Sequence, residues 1–188
     1  MMNLKKITNL VSRFLRDDKG TASVEFVLVF PVFFGFFLMT YESGVLSARH
    51  VMLERGVDVT VREVRIGNIP NPTRDILRQR ICDVSLMLQN CMELLEIELI
   101  QKDPLNWTPV STDVRCIDRG QVVQPVVTVD QSANNRLMFL RACIRVEPFL
   151  PSSWLGAAIV ANNASTEASG SIALVAMGAF VVEPFRTP

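Results

Sequence analysis

The apolar positions of this chain change pattern twice, and each change marks a new kind of element. From Thr21 to Tyr41 they fall on every side: Phe26, Phe30, Phe33, Phe34, Phe36 and Phe37 are spread around any helix drawn through the run, and Glu25 is its only charge. No polar face is left for water, so the segment predicts a helix in an apolar medium rather than one lying on a soluble core. Val24 to Tyr41 spans roughly 27 Å at ~1.5 Å per residue, close to the ~30 Å hydrocarbon core of a bilayer. Beyond Tyr41 the pattern narrows to a stripe. Leu46, His50, Leu53, Val57, Val61 and Val64 recur at helical spacing, with Arg49, Glu54, Arg55, Asp58, Arg62 and Glu63 opposite them. The helix is therefore expected to continue as an amphipathic stalk, whose stripe fits either the folded head or a neighbouring subunit. Gly67 and Pro70-Asn71-Pro72 end it.

A second helix is expected from Thr73 to about Leu88, with Thr73 as N-cap and Leu77, Ile81, Val84 and Leu88 as its buried stripe. The period then falls to two. Leu95, Ile97 and Leu99 alternate with Glu96 and Glu98, and Leu140, Ala142, Ile144 and Val146 alternate with Arg141, Cys143 and Arg145. This is the signature of half-buried strands. Strands are expected at 122–129, 137–146 and 172–182, the first at an edge because of Pro125. Asn162 to Ser171 is read as a polar loop. The fold class is α+β: a long N-terminal transmembrane helix continuing into a stalk, with a small antiparallel-sheet head. The expected divisions are a leader at 1–20, a span at 21–41, a stalk at 42–69 and a head at 70–188. Val146-Glu147-Pro148-Phe149 is echoed by Val182-Glu183-Pro184-Phe185, but nothing between the copies matches.

Charge adds orientation. The whole chain is balanced, with 19 Lys+Arg against 19 Asp+Glu, so nothing argues for nucleic acid. The first twenty residues are nevertheless basic, with Lys5, Lys6, Arg13, Arg16 and Lys19 against Asp17 and Asp18. A basic block before an apolar run keeps that end in the cytoplasm and sends the remainder across. No cleavable signal site follows the run, since Leu46-Ser47-Ala48 sets a bulky Leu where a small residue is needed.

An even set of cysteines outside the cytoplasm favours disulfides. Cys82, Cys91, Cys116 and Cys143 allow three pairings. The sequence-local choice is Cys82 with Cys91 and Cys116 with Cys143. In one continuous helix Cys82 and Cys91 would lie ~13 Å apart on opposite sides, beyond the ~7 Å Cα limit, so their pairing requires the helix to end near Leu88 to Asn90. His50, the single histidine, is expected to be packed or hydrogen-bonded. There is no P-loop, no dinucleotide-binding glycine pattern, no nucleophile elbow and no Cys-x-x-Cys, so no enzyme, cofactor or metal is expected.

Lys19-Gly20-Thr21-Ala22-Ser23-Val24-Glu25 combines a basic leader, a glycine, a glutamate five residues beyond it and an immediate span. It resembles the processing site of type IV pilin-like proteins. Within them Val24 to Pro31, VEFVLVFP, and the closing Phe180 to Phe185 resemble TadE-like minor pseudopilins of the tight adherence (Tad, or Flp) pilus system. Val27 stands where alanine is common, which leaves TadF-like subunits open. The resemblance implies cleavage after Gly20 by a prepilin peptidase, a new N-terminus at Thr21, and Glu25 at the fifth mature position as the assembly residue. It also implies a bacterial inner-membrane protein with a periplasmic head, whose partners are other pilin-like subunits and the pilus assembly machinery. Independently of the resemblance, a carboxylate at the edge of a span is costly and calls for a partner. An uncleaved, membrane-anchored extracytoplasmic binding module remains the alternative.

Overall fold

The computed structural model describes residues 21–111, 114, 116, 117, 136–151, 153–163 and 170–181. The leader, Gly20, the expected strand at 122–129 and the second Val-Glu-Pro-Phe at 182–185 lie outside these residues. Among these described residues seven elements follow in order: helix α1 (Thr21–Arg65), helix α2 (Arg74–Val84), the single turn α3 (Cys91–Leu94), strand β1 (Glu96–Lys102), strand β2 (Leu137–Val146), helix α4 (Trp154–Asn163) and strand β3 (Ile172–Val181). The chain divides into two compact units, residues 1–41 and 42–188.

α1 runs unbroken through Pro31. It stops where Gly67 takes a left-handed φ of 84°. There the amide of Asn68 reaches the Glu63 carbonyl at 3.0 Å and that of Gly67 the Val64 carbonyl at 3.2 Å. This paired closure satisfies two carbonyls that a helix end leaves open, and it needs the left-handed residue that glycine supplies without strain.

The three strands form one antiparallel sheet in the order β1-β2-β3. Register puts Ile97 beside Ala142, Leu99 beside Leu140, and Leu140 beside Gly178. These residues face the packed half of α1: a Cβ on Gly178 would stand 3.0 Å from Val61 Cγ2 and 3.5 Å from Val57 Cγ1. Glycine there lets the helix approach the middle of the sheet. Leu53, Val57 and Val64 from α1, Leu77 and Ile81 from α2, and Leu95, Ile97, Leu140 and Ile144 share one core. Of the two partners open to the stripe on α1, the structure supplies the sheet of its own chain.

The opposite face of the sheet is polar but covered. Arg141 stands directly across from Glu98; its Nε donates to Glu98 Oε2 at 2.8 Å and its Nη1 to the Ser111 carbonyl at 2.6 Å. Both Arg141 and Cys143 are buried, because the chain at Ser111 and Cys116 is fastened to this face. Alternation of burial is therefore weaker in β2 than alternation of polarity.

Two expected boundaries shift. α2 ends at Val84, four residues short of Leu88. Thr73 caps its start, accepting from the Ile76 amide at 3.5 Å. Ser85 closes its end: its amide donates to the Ile81 carbonyl at 2.9 Å and its hydroxyl to the Met52 carbonyl of α1 at 2.9 Å. A buried polar residue thus takes the position that the apolar stripe assigns to Val84, and Leu88 is buried from a turn rather than a helix. The loop expected from Asn162 begins later, because α4 extends to Asn163.

Candidate functional site

The sequence singles out Gly20, Thr21 and Glu25. Thr21 is the first residue of α1, and Glu25 follows one turn later, roughly 6 Å along the axis. Glu25 is exposed, and so are its neighbours, with Val24, Phe26, Val27, Leu28 and Val29 each more than half open. Among the described residues it has no hydrogen-bond or ion-pair partner. A lone carboxylate on an apolar surface is stable where water or a cation reaches it, and costs ~2.5 to 3.5 kcal/mol where neither does at mid-bilayer.

The helix beyond it is dressed for a non-aqueous medium. Phe26, Phe30, Phe34 and Phe37 stack along one side with centroid separations of 5.1, 5.5 and 6.4 Å. Thr40 Oγ1 donates to the Phe36 carbonyl at 2.9 Å, satisfying its hydroxyl within the helix. This is a helix long and apolar enough to cross a membrane.

Glu42, the next residue after the apolar run, is a site that the sequence reading missed. It is fully buried. Its Oε1 accepts the Phe149 amide at 2.7 Å and its Oε2 the Leu150 amide at 2.8 Å. Two amides on one carboxylate are strong bonds, and they provide for a charge that burial alone would penalise. One turn before Leu46, Glu42 lies on the stripe that continues through His50 and Leu53. A charge on the buried stripe is the signal that would have found it.

Arg49 fastens the same connection from further along α1, donating from Nη1 to the Glu147 carbonyl at 3.0 Å. His50 Nε2 lies 3.1 Å from the Val175 carbonyl of β3 and 3.8 Å from Glu54. A carbonyl can only accept, so Nε2 carries the proton and the histidine serves as a structural tie.

Cys82 pairs with Cys91, at a Cα separation of 5.7 Å, and Cys116 with Cys143, at 5.3 Å. The first pair closes because the chain turns between Val84 and Cys91, where Asn90 adopts a left-handed φ of 51°. That conformation is one that asparagine tolerates. Ion pairs add to these links: Arg74 with Glu96, and Arg80 with Glu63, where Nε reaches Oε2 at 2.7 Å. The hydrogen bonds and charge of Glu63 raise the pKa of Arg80 above its ordinary value. Among the described residues no group of three His, Cys, Asp or Glu is arranged to hold a metal.

The geometry is that of an apolar helix joined to a covalently stapled α+β unit. No curated protein and no solved structure matches the chain. The family model for TadE-like protein matches residues 20–62, from Gly20 through Glu25, the apolar run and Glu42 to the packed half of α1. Over that stretch the chain is similar to the TadE-like family.

Proposed function

We propose that this chain is a minor pilin-like subunit, processed after Gly20 by a prepilin peptidase, that acts in assembly of adhesive Tad/Flp-type pili. The observation that carries the reading is the TadE-like match over residues 20–62, which begins at the proposed cleavage glycine. Glu25, exposed on an otherwise apolar helix, supports it. Cleavage would leave a free α-amino group at Thr21 of one subunit, able to neutralise Glu25 of another as their helices pack. TadE-like pilus proteins are structural, which supports a role without catalysis.

In this reading residues 1–20 are a cytoplasmic leader, 21–41 the inner-membrane span, 42–69 a stalk and 70–188 a periplasmic head. The disulfides Cys82–Cys91 and Cys116–Cys143 support an oxidising compartment for that head. The partners are the peptidase, other pilin-like subunits and the assembly machinery.

Mass spectrometry of the N-terminus, with and without the peptidase, tests it. A terminus at Thr21 that forms only with the peptidase and is lost in Gly20→Arg is the expected result. An unprocessed terminus in both samples would sink the proposal and favour an uncleaved, membrane-anchored binding module.

A further inference from the structure

We infer that the connection from Phe149 through the start of α4 is a membrane-surface contact, in which Phe149 and Trp154 enter the outer interface of the bilayer that α1 crosses. Its basis is the hydrogen bonding that returns this segment to the first residue beyond the apolar run. The Glu147 carbonyl is held by Arg49, whereas the Phe149 and Leu150 amides are held by Glu42. The segment from Glu147 to Leu150 is therefore held from two places on α1, Arg49 and, two turns earlier, Glu42.

Two further bonds link Leu150 to the start of α4. The Leu150 carbonyl accepts the Ser153 amide at 3.0 Å, and Ser153 Oγ accepts the Gly156 amide at 2.9 Å. Gly156 packs so closely that a Cβ would come within 2.4 Å of the Leu150 carbonyl oxygen. The start of α4 is consequently tied to Glu42 through short, directional links, and Glu42 follows Tyr41, the last residue of the apolar run.

The side chains left outside by this clasp are wrong for water. Trp154 is 84 % exposed and Phe149 58 %, and Pro151, Ala157, Ala158 and Ala161 are exposed beside them. No Asp, Glu, Lys or Arg stands between Glu147 and Glu167. Two aromatic residues in an uncharged stretch that is bonded to Glu42, the residue that follows the apolar run in sequence, match the preference of tryptophan for the headgroup level. The absence of cationic residues commits the contact to the apolar and dipolar part of the interface, not to acidic headgroups.

The inference rests on α1 crossing a bilayer, and the two can fail separately. The test uses the full chain in nanodiscs of phosphatidylcholine, with and without bromination near the glycerol end of the acyl chains. Trp107 and Trp154 are the two tryptophans, so Trp107→Phe isolates one reporter and Trp154→Phe the other. Trp154 is expected to emit to the blue and to lose most of its intensity in brominated lipid, while Trp107 keeps its emission. Should Trp107→Phe misfold, the difference between unsubstituted protein and Trp154→Phe isolates the same signal. Red emission from Trp154, open to iodide and untouched by bromine, would overturn the contact and leave a neighbouring subunit as the occupant of the patch. Equal quenching of both tryptophans would overturn it too. Recovery of the chain in the nanodisc fraction reads the span alone.

Discussion

The two halves of α1 share one continuous backbone and face opposite demands. In the first half Leu28 and Phe33 are 69 % and 70 % exposed; in the second Leu53 and Val57 are at 0 % and 1 %. Apolar residues all round require an apolar solvent, whereas a single stripe requires a packed partner, here the sheet and α2. In water the stripe gains roughly 25 cal/mol for each Å² it buries, but lipid offers the first half no comparable gain from packing on protein. A leucine in each half should therefore answer substitution differently. Leu53→Ala is expected to destabilise the folded unit by about 2–5 kcal/mol. Leu28→Ala should leave the unfolding midpoint of that unit unchanged. Urea denaturation of the full chain in detergent micelles, followed by far-UV circular dichroism, separates the two, and equal shifts would break the distinction.

The reverse experiment places a charge in each half's terms. Val29→Arg, within the exposed apolar run, should cost ~2.5 to 3.5 kcal/mol in membrane insertion and lower the membrane-inserted fraction of newly made protein. Arg55, already exposed on the second half, should tolerate Arg55→Glu with no loss of insertion. Insertion that is indifferent to Val29→Arg would show that the run does not meet lipid.

Much of this division was legible in the sequence because both halves are long and periodic. The stripe from Leu46 to Val64, the Gly67 stop, the Thr73 cap and β2 at Leu137 to Val146 all follow from local rules. What the pattern hid had nonlocal causes. Ser85 ends α2 early because its hydroxyl is needed by Met52 of α1, a partner 33 positions away. Glu42 reads as the first polar residue after a span, and only the amides of Phe149 and Leu150 turn it into a buried acceptor. α4 lacks both a charged face and a clear stripe, so its residues gave no helical period to read. Gly20 and Glu25 were legible as a motif, not from packing, since Glu25 packs against nothing among the described residues.

The disulfides sharpen the comparison within the second unit, for they staple what the hydrophobic stripe only packs. Removing Cys82–Cys91 or Cys116–Cys143 by paired Ser substitution should each cost roughly 2–4 kcal/mol. The second should cost more, because its sequence separation is 27 against 9 and the longer closed loop restrains more of the unfolded chain. Chemical denaturation of each variant, with alkylation to verify the remaining bridge, checks the order; the reverse ranking would show that local packing outweighs loop length here.

The smallest effect isolates the helix from its surroundings, because α1 carries glycines in two environments. A Cβ on Gly44 would meet nothing within 4 Å, so Gly44→Ala should stabilise by about 0.5–1 kcal/mol through helix propensity alone. At Gly56 a Cβ would stand 2.3 Å from Ser85 Oγ and 3.0 Å from both Ile81 Cγ2 and the Ile81 carbonyl oxygen. Ser85 could turn aside only by giving up its bond to the Met52 carbonyl, and the Ile81 oxygen belongs to the backbone at the end of α2, where it already accepts the Ser85 amide. Overpacking of about 1–3 kcal/mol then exceeds the propensity gain, and Gly56→Ala should destabilise. The same substitution in the same helix is thus expected to shift the urea midpoint in opposite directions. A shift of the same sign at both positions would mean that α2 can move away from α1 at Gly56, and that the close approach is not what sets their packing.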